Sequence, residues 1–283
     1  MEKSFVPLVS VIFAAYNESI QTKTLLESIK NQTYSNIESI IVVDKKTTDD
    51  TYEIAKKNSN IAFIGGVERS ENRNLAVQKA SGKYILLLDA DMVLTKDVVQ
   101  ECVDVVNKDL EIKTITIPEK SIGVSFWAKC KAFERNFYYL EENSNIEAAR
   151  FFEKKAFDKV GGYDINITGP EDWDLPERIN KIYPKKFKIK AHIIHNEGNV
   201  SLIKLMKKKH YYAKLAHVYL EKNNIPTISA KTVYFLRPVF YQHWQLWLKT
   251  PIISLGTIFM LTMEFIAGGV GFIQGLIKKE FNL

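Results

Sequence analysis

Residues 9–91 alternate four short apolar runs with longer segments of helical period, and this alternation limits the fold more than any other feature. The runs are VSVIFAAY (9–16), IESIIVVD (37–44), IAFIGG (61–66) and KYILLLDAD (83–91). Between them, IQTKTLLESIKNQ carries Ile20, Leu25, Leu26 and Ile29 near helical spacing, DDTYEIAKKN follows the second run, and SENRNLAVQKAS is stopped by Gly82. Such a β-α repeat predicts an α/β fold, Rossmann-like, with a mostly parallel central sheet, right-handed crossovers and helices on its faces. Ligands in sheets of this kind bind beyond the carboxyl ends of the strands.

Polar residues fall at that edge. Tyr16, Asn17 and Glu18 follow the first run, Asp44 closes the second, and Asp89 and Asp91 flank Ala90 at the end of the fourth. Asp and Asn are also ordinary turn formers and helix caps, but three strand ends together predict a site. Two carboxylates one residue apart on a turn can both approach one hard divalent cation, which keeps positions for water and diphosphate oxygens. The chemistry expected there is departure of a nucleotide diphosphate whose developing charge the metal neutralises.

With 283 residues and 46% hydrophobic content the chain can bury a sizeable core, which excludes disorder. A net charge of +6 suits anionic partners without choosing among them. Nucleic acid is not an expected partner, because the basic residues form no sustained stripe. Cys102 and Cys130 stand outside any CxxC pair and are expected as small core residues in a reduced compartment. No charged-then-apolar leader precedes Val9, so a cytosolic catalytic domain is expected. Two rival classes are weighed. A sugar-phosphate nucleotidyltransferase would carry a Gly-rich phosphate loop after the first strand, and FAAYNES has no glycine. A non-catalytic membrane-binding or nucleic-acid-binding module leaves the acids at three strand ends unexplained.

The ordered set VSVIFAAYNE, IIVVDKKTTDDT, RNLAVQKASGKYILLLDADM and VGGYDINITGPEDWDL resembles the family 2 glycosyltransferases of GT-A fold, over residues 8–215. The resemblance implies a nucleotide-sugar donor, Mn²⁺ or Mg²⁺, and inversion at the anomeric carbon. Carried over by position, it implies that Ala14, Tyr16 and Glu18 line the nucleotide pocket, that Asp44 and its neighbour Lys45 face the base, and that Arg73 lies near the diphosphate. Asp89 would sit by the ribose and metal, with Asp91 as direct metal ligand. Many family members carry a second acid after Asp44, which reads the base edge; Lys45 cannot accept a base N–H, so the donor is open between UDP and GDP.

In GPEDWDL (169–175) the family pattern puts the catalytic base at Asp172, beside Glu171. Transfer to a hydroxyl needs a group that takes its proton. An acceptor that is a lipid phosphate, already anionic, needs no base, and Asp172 would then orient. Gly161 and Gly162 would let the backbone approach the donor sugar. In AHIIHNEG (191–198), His192 and His195 are separated by two isoleucines and should face opposite sides of a strand. His195 is the expected one to complete the metal shell, and an imidazole suits Mn²⁺ better than Mg²⁺.

The later chain is less specific. Phe126, Cys130, Phe133, Phe137 and Leu140 step regularly along SFWAKCKAFERNFYYLEEN, which core packing explains, with an aromatic acceptor groove as the alternative. Lys207, Lys208, Lys209 and His210 form a solvated helix face or a cationic cluster for a phosphate. VYFLRPVFYQHWQLWLKT has the aromatic and basic composition of a segment at a membrane surface. Residues 251–277 are long enough to cross a bilayer, but Glu264 falls near their middle and Gly268 and Gly269 interrupt them. A peripheral, monotopic attachment is expected, with a single span or a helical tail closing the core as alternatives. The expected organisation is a nucleotide-sugar-binding half (1–115), an acceptor-binding and catalytic half (116–230) and a membrane-associated tail (231–283). The enzyme would then work at the cytoplasmic face of the membrane on a polyprenyl phosphate or lipid-linked glycan.

Overall fold

The apolar runs become strands because short β-branched and other apolar side chains fit a pleated surface, which is buried on both faces along β1 and β4 and partly exposed at the edge strand β3. In the computed structural model, which describes residues 6–141 and 149–281, they are β1 (Val9–Ala15), β2 (Ile37–Val43), β3 (Ile61–Ile64) and β4 (Tyr84–Asp89). The segments between them are helices α1 (Ser19–Lys30), α2 (Thr51–Asn58) and α3 (Arg69–Gln78). The chain continues through β5 (Met92–Leu94), α4 (Val98–Lys108), β6 (Thr114–Thr116), β7 (Glu119–Ile122), α5 (Phe126–Tyr139), β8 (Ala149–Glu153) and α6 (Lys154–Lys159). Then come α7 (Glu171–Ile182), β9 (Lys186–Lys188), β10 (Ile193–Asn196), α8 (Leu202–Ala213) and α9 (Ala216–Lys222). A 3₁₀ turn at Tyr234–Leu236 leads to α10 (Val239–Gln242), α11 (Trp244–Lys249) and α12 (Pro251–Phe281).

A seven-stranded sheet runs β3-β2-β1-β4-β8-β6-β9. Strands β1 to β4 are parallel to their neighbours among themselves, and β8 inserts antiparallel between β4 and β6. Alternation divides the core between the two faces. Val11, Phe13, Leu86 and Leu88 pack on one side with Val99, Cys102 and Val103 of α4; Ile12, Ile85, Leu87 and Phe152 pack on the other with Ala76 and Val77 of α3. Each such fully buried large side chain contributes about 1.5–3 kcal/mol.

The chain divides into two compact units: Met1–Glu119, Glu147–Ile165 and Asp172–His195 form the first, and Lys120–Ile146, Asn166–Glu171 and Asn196–Leu283 the second. These borders differ from the consecutive segments expected above, because β8 and β9 return later stretches of chain to the large sheet of the first unit. The second unit is helical among its described residues, apart from strand ends. Its core gathers Cys130, Phe137, Tyr138, Leu205, Tyr234, Phe240, Met260 and Leu261. Phe137 meets Phe133, Phe240 and Trp247 at ring-centroid distances of 5.1, 5.2 and 5.1 Å, so the middle of the aromatic stripe on α5 serves packing.

One expectation is corrected in α12. Gly268 and Gly269 do not interrupt it; the helix is continuous over 31 residues. The reason is close packing at Gly268 and its neighbours on the same face: an added Cβ at Gly271 would lie 2.3 Å from the His210 carbonyl oxygen of α8, and one at Gly275 would lie 1.9 Å from that of Lys214.

Candidate active site

Because β1, β2 and β4 are parallel, their carboxyl ends share one edge, and the register sets Ala14 between Val42 and Asp89. The loops beyond are tied together. Asn17, in the left-handed region at φ 51°, accepts the Thr48 N–H at 2.8 Å, and the Glu18 N–H donates to Thr51 Oγ1 at 2.9 Å. Tyr16 is 52% exposed at this rim, with its N–H 3.3 Å from Glu18 Oε2. Asp44 accepts the Lys46 N–H at 2.7 Å and so closes its own turn, while Lys45 is exposed. Ala14, Tyr16, Glu18, Asp44 and Lys45 are thus brought to the ends of β1 and β2.

Beside them lies a cluster of buried charge. Arg73 of α3, 1% exposed, donates from Nη2 to Asp89 Oδ1 and from Nη1 to Asp172 Oδ1 at 3.0 Å. Arg150 of β8 donates from Nε to Glu119 Oε1 at 2.8 Å, and its Nη2 and Nη1 lie 3.4 Å from Asp89 Oδ2 and 3.8 Å from Asp172 Oδ2. Burying these guanidinium groups is tolerable only because each is paired at short range. Burial disfavours charge on Asp89, yet Arg73, Arg150, Arg69 and His195 hold its carboxyl well below the usual carboxylate range. The same pairing outweighs burial at Arg73 and Arg150 and raises both.

Tyr163 completes the cluster. Gly161 and Gly162, at φ 81° and 71°, turn the chain after α6, and an added Cβ at Gly162 would lie 2.6 Å from Asn74 Oδ1. The turn lets the Tyr163 N–H donate to Asn74 Oδ1 at 2.9 Å, with the ring centroid 5.3 Å from the Arg73 guanidinium. The Tyr163 hydroxyl donates to Asp172 Oδ1 at 3.3 Å. One oxygen of Asp172 therefore holds two donors, and Oδ2 has the looser approach of Arg150. Glu171 is held differently: it is 2% exposed and accepts the Gly169 N–H at 2.5 Å, where φ is 105°.

Asp91 points elsewhere than Asp89. The pairing of β5 with β10 sets His195 against Met92, and His195 Nε2 lies 3.4 Å from Asp91 Oδ2. His195 Nδ1 lies 3.2 Å from Glu119 Oε2. A carboxylate only accepts, so Nδ1 carries a proton toward Glu119, and Nε2 either donates to Asp91 from a protonated ring or, in a neutral ring, offers its lone pair beside the Asp91 carboxylate, where a cation would sit between them. Asp91 Oδ1 is in addition buried without a hydrogen-bond partner. Among the described residues no three His, Cys, Asp or Glu side chains converge as a closed metal cage. The donor set nonetheless fits a divalent ion: an oxygen and an imidazole nitrogen, a carboxylate behind the histidine, and positions left for a ligand.

Arg150, Glu119 and Tyr163 escaped the sequence reading. A signal for Arg150 was present, since an arginine inside the apolar run AARFF must find a buried partner. Glu119 on a short strand gave none.

Known proteins resemble this chain in sequence and in fold. The family model described as Glycosyl transferase family 2 matches residues 10–165, a stretch that contains Asp89, Asp91, Glu119, Arg150 and Tyr163. The chondroitin synthase of Escherichia coli is 27% identical over 232 residues, 78% of this chain and 34% of that protein. The UDP-Glc:alpha-D-GlcNAc-diphosphoundecaprenol beta-1,3-glucosyltransferase WfaP of Escherichia coli is 43% identical over 89 residues, 30% of this chain and 35% of its own. The matched part of this chain thus spans about a third of the length of each. The mannosyltransferase PcManGT from Pyrobaculum calidifontis, solved in complex with GDP-Man and Mn²⁺, shares the fold: its TM-score is 0.61 at 14% identity, over 95% of this chain and 88% of its own. A polar rim on a mostly parallel sheet, inside a family match that covers more than half of the residues, makes this chain a member of glycosyl transferase family 2, a glycosyltransferase of GT-A fold.

Proposed function

We propose that the chain moves a sugar from a UDP- or GDP-sugar to a membrane-associated acceptor, a polyprenyl phosphate or lipid-linked glycan, with inversion at the anomeric carbon. One observation carries the reading: Asp172 is anchored through one oxygen by Arg73 and Tyr163 and keeps the other more open, within the same charge cluster that fixes Asp89. A carboxylate so held can take the proton of an acceptor hydroxyl through Oδ2 as the new C–O bond forms. Asp91 and His195 would hold Mn²⁺ or Mg²⁺, which when bound neutralises charge on the departing diphosphate. Glu119 fixes the histidine tautomer, and Arg150 keeps Glu119 in place. Asp89, engaged by Arg73 and Arg150, is then an organiser of the donor side, and its own approach to the ion would come at the expense of those pairs. Ala14, Tyr16, Glu18, Asp44 and Lys45 form the nucleotide rim. Glu171 supports the turn before Asp172.

WfaP, whose name gives a nucleotide-sugar donor and a lipid diphosphate acceptor, supports a lipid-linked acceptor here. The nucleotide-binding complex of PcManGT supports a divalent ion. Nucleotide sugars are cytosolic, so the catalytic unit would face the cytoplasm, with no nucleic-acid partner.

The test is release of the leaving group. The full chain, with Mn²⁺ and a panel of UDP- and GDP-sugars, is offered polyprenyl phosphate or a polyprenyl-diphosphate-linked sugar. UDP or GDP should appear together with a glycosylated lipid. Pyrophosphate instead would mean nucleotidyl transfer, and no release from any pair would contradict the proposal. Glu119→Gln is expected to weaken Mn²⁺ binding about 10–100-fold, the usual cost of losing a partner behind a ligating histidine, as read by the electron paramagnetic resonance signal of free Mn²⁺. Unchanged Mn²⁺ affinity would show that His195 needs no such support.

A further inference from the structure

The membrane reading above leaves open how the chain meets the lipid, and α12 carries an answer. Its inner face is committed. Ser254, Thr257, Met260, Leu261, Glu264 and Gly268 are buried in the second unit. Glu264, the one acid inside the apolar stretch, is 3% exposed and accepts from Lys131 Nζ at 3.2 Å, and Lys131 also pairs with the buried Glu134 at 3.1 Å. Gly268, Gly271 and Gly275 lie on this side, where the last two meet backbone at His210 and Lys214, while Gly269 faces outward. His210 of α8 adds a polar contact, its Nδ1 3.2 Å from the Ala267 carbonyl oxygen.

The outer face is the opposite in kind. Ile252, Leu255, Phe259, Ile266, Ile273 and Ile277 recur at helical spacing, each between 47% and 74% exposed. No acid other than the inward Glu264 lies between Thr250 and Lys279. Lys249 precedes the stripe and Lys278 follows it, both exposed. Just ahead of the helix, Tyr241 and Trp244 are 64% and 57% exposed, the amphipathic aromatics typical of the headgroup level. A continuous apolar stripe of this length on a folded unit marks an interaction surface.

We infer that this outer stripe of α12 is seated in one leaflet of a lipid bilayer, with the helix lying along the membrane surface instead of crossing it. Two arguments decide the orientation. Residues 251–277 span about 40 Å at ~1.5 Å per residue, longer than a ~30 Å hydrocarbon core needs for an upright crossing. Crossing would also carry α5 and α8, with Lys131, Lys204, Lys207 and Lys208, into hydrocarbon, since the inner face is fastened to them. Lying in plane, the stripe enters the acyl boundary while the bracketing lysines meet anionic headgroups. A second copy is a poorer occupant: the outer face has large branched residues where tight helix pairs use small ones, and paired in parallel it would bring like cations together.

The full chain should float with phosphatidylcholine vesicles and more strongly with vesicles that also contain phosphatidylglycerol. An Ile266→Asp, Ile273→Asp pair should lower vesicle binding at least about tenfold while the thermal midpoint and nucleotide-sugar binding stay at the parent's values, since both side chains are exposed and belong to the second unit, whereas the donor rim belongs to the first. Environment-sensitive labels at Ile252→Cys and Ile277→Cys, read with depth-dependent quenchers, should report the same shallow depth in the same leaflet. Labels in opposite leaflets would overturn the in-plane seat. A chain that ignores both vesicles and forms a dimer lost in the Asp pair would overturn the lipid partner. A chain that binds vesicles but transfers no sugar to a lipid acceptor would remove the acceptor proposal and leave the docking surface standing.

Discussion

Asp172→Asn is expected to lower kcat for a hydroxyl acceptor by about 10²–10⁴-fold, the range set by loss of a positioned general base, with nucleotide-sugar binding within about threefold of the parent. The carboxamide keeps the shape of the side chain, and its oxygen can still accept from Arg73 and Tyr163, the two donors that anchor Oδ1. What it loses is the lone pair on the second oxygen that takes the proton. The split between kcat and donor affinity is the informative part, and it is read by steady-state kinetics beside calorimetric titration of the donor. A variant that transfers normally to a hydroxyl would put the base elsewhere. With polyprenyl phosphate as acceptor the same variant should keep most of its rate, because a phosphate oxygen attacks without surrendering a proton, so one substitution also sorts the acceptor classes.

The second large effect is expected from Asp91→Asn. Here the loss should fall on Mn²⁺ affinity and on metal-dependent donor binding, by more than about 100-fold, exceeding the ~10–100-fold typical of a partner one shell further out such as Glu119. Asp91 has its Oδ2 3.4 Å from His195 Nε2 and its Oδ1 buried without a hydrogen bond, so its carboxylate lacks the arginines that hold Asp89. Folding stability should consequently change little, and circular dichroism with thermal melting checks that. Calorimetric titration of Mn²⁺ with UDP or GDP present gives the binding result. Full Mn²⁺ affinity in the variant would mean that Asp91 is not a ligand.

Much of the fold was legible in the sequence where a local period carried it. The runs that became β1, β2, β3 and β4 read as strands because their apolar stretches are short and closed by turn residues, and α1 buries Leu25, Leu26 and Ile29 as helical spacing indicates, although Ile20 stays exposed because the buried face turns to Thr22 instead. Of the late strands, β10 was legible in AHIIHNEG and β8 was not. β8 is five residues long and joins the sheet antiparallel between β4 and β6, a choice made by the packing of Phe151 and Phe152 and not by anything local.

The site divides in the same way. Acids at strand ends announced an edge, and Arg73, Asp89, Asp172, Asp91 and His195 do meet in two adjoining groups of side chains. Their pairing was not readable. Asp89 and Asp91 look equivalent as a triplet, but Asp89 ends β4 within reach of the arginines, and the turn after it directs Asp91 toward β10. The glycines of α12 misled for a related reason. Propensity treats glycine as a break, whereas here Gly268 lies against the Lys209 side chain, Gly271 and Gly275 against backbone at His210 and Lys214, and the helix runs on through Gly269.

The most direct measurement is a crystal of the full chain soaked with Mn²⁺ and UDP or GDP. Manganese should be found on Asp91 and His195, with the diphosphate on the ion, the nucleoside against the rim of Ala14, Tyr16 and Asp44, and Asp172 beside the open sugar position. An ordered nucleotide bound elsewhere, with no metal between Asp91 and His195, would contradict the assignment of this edge as the donor site.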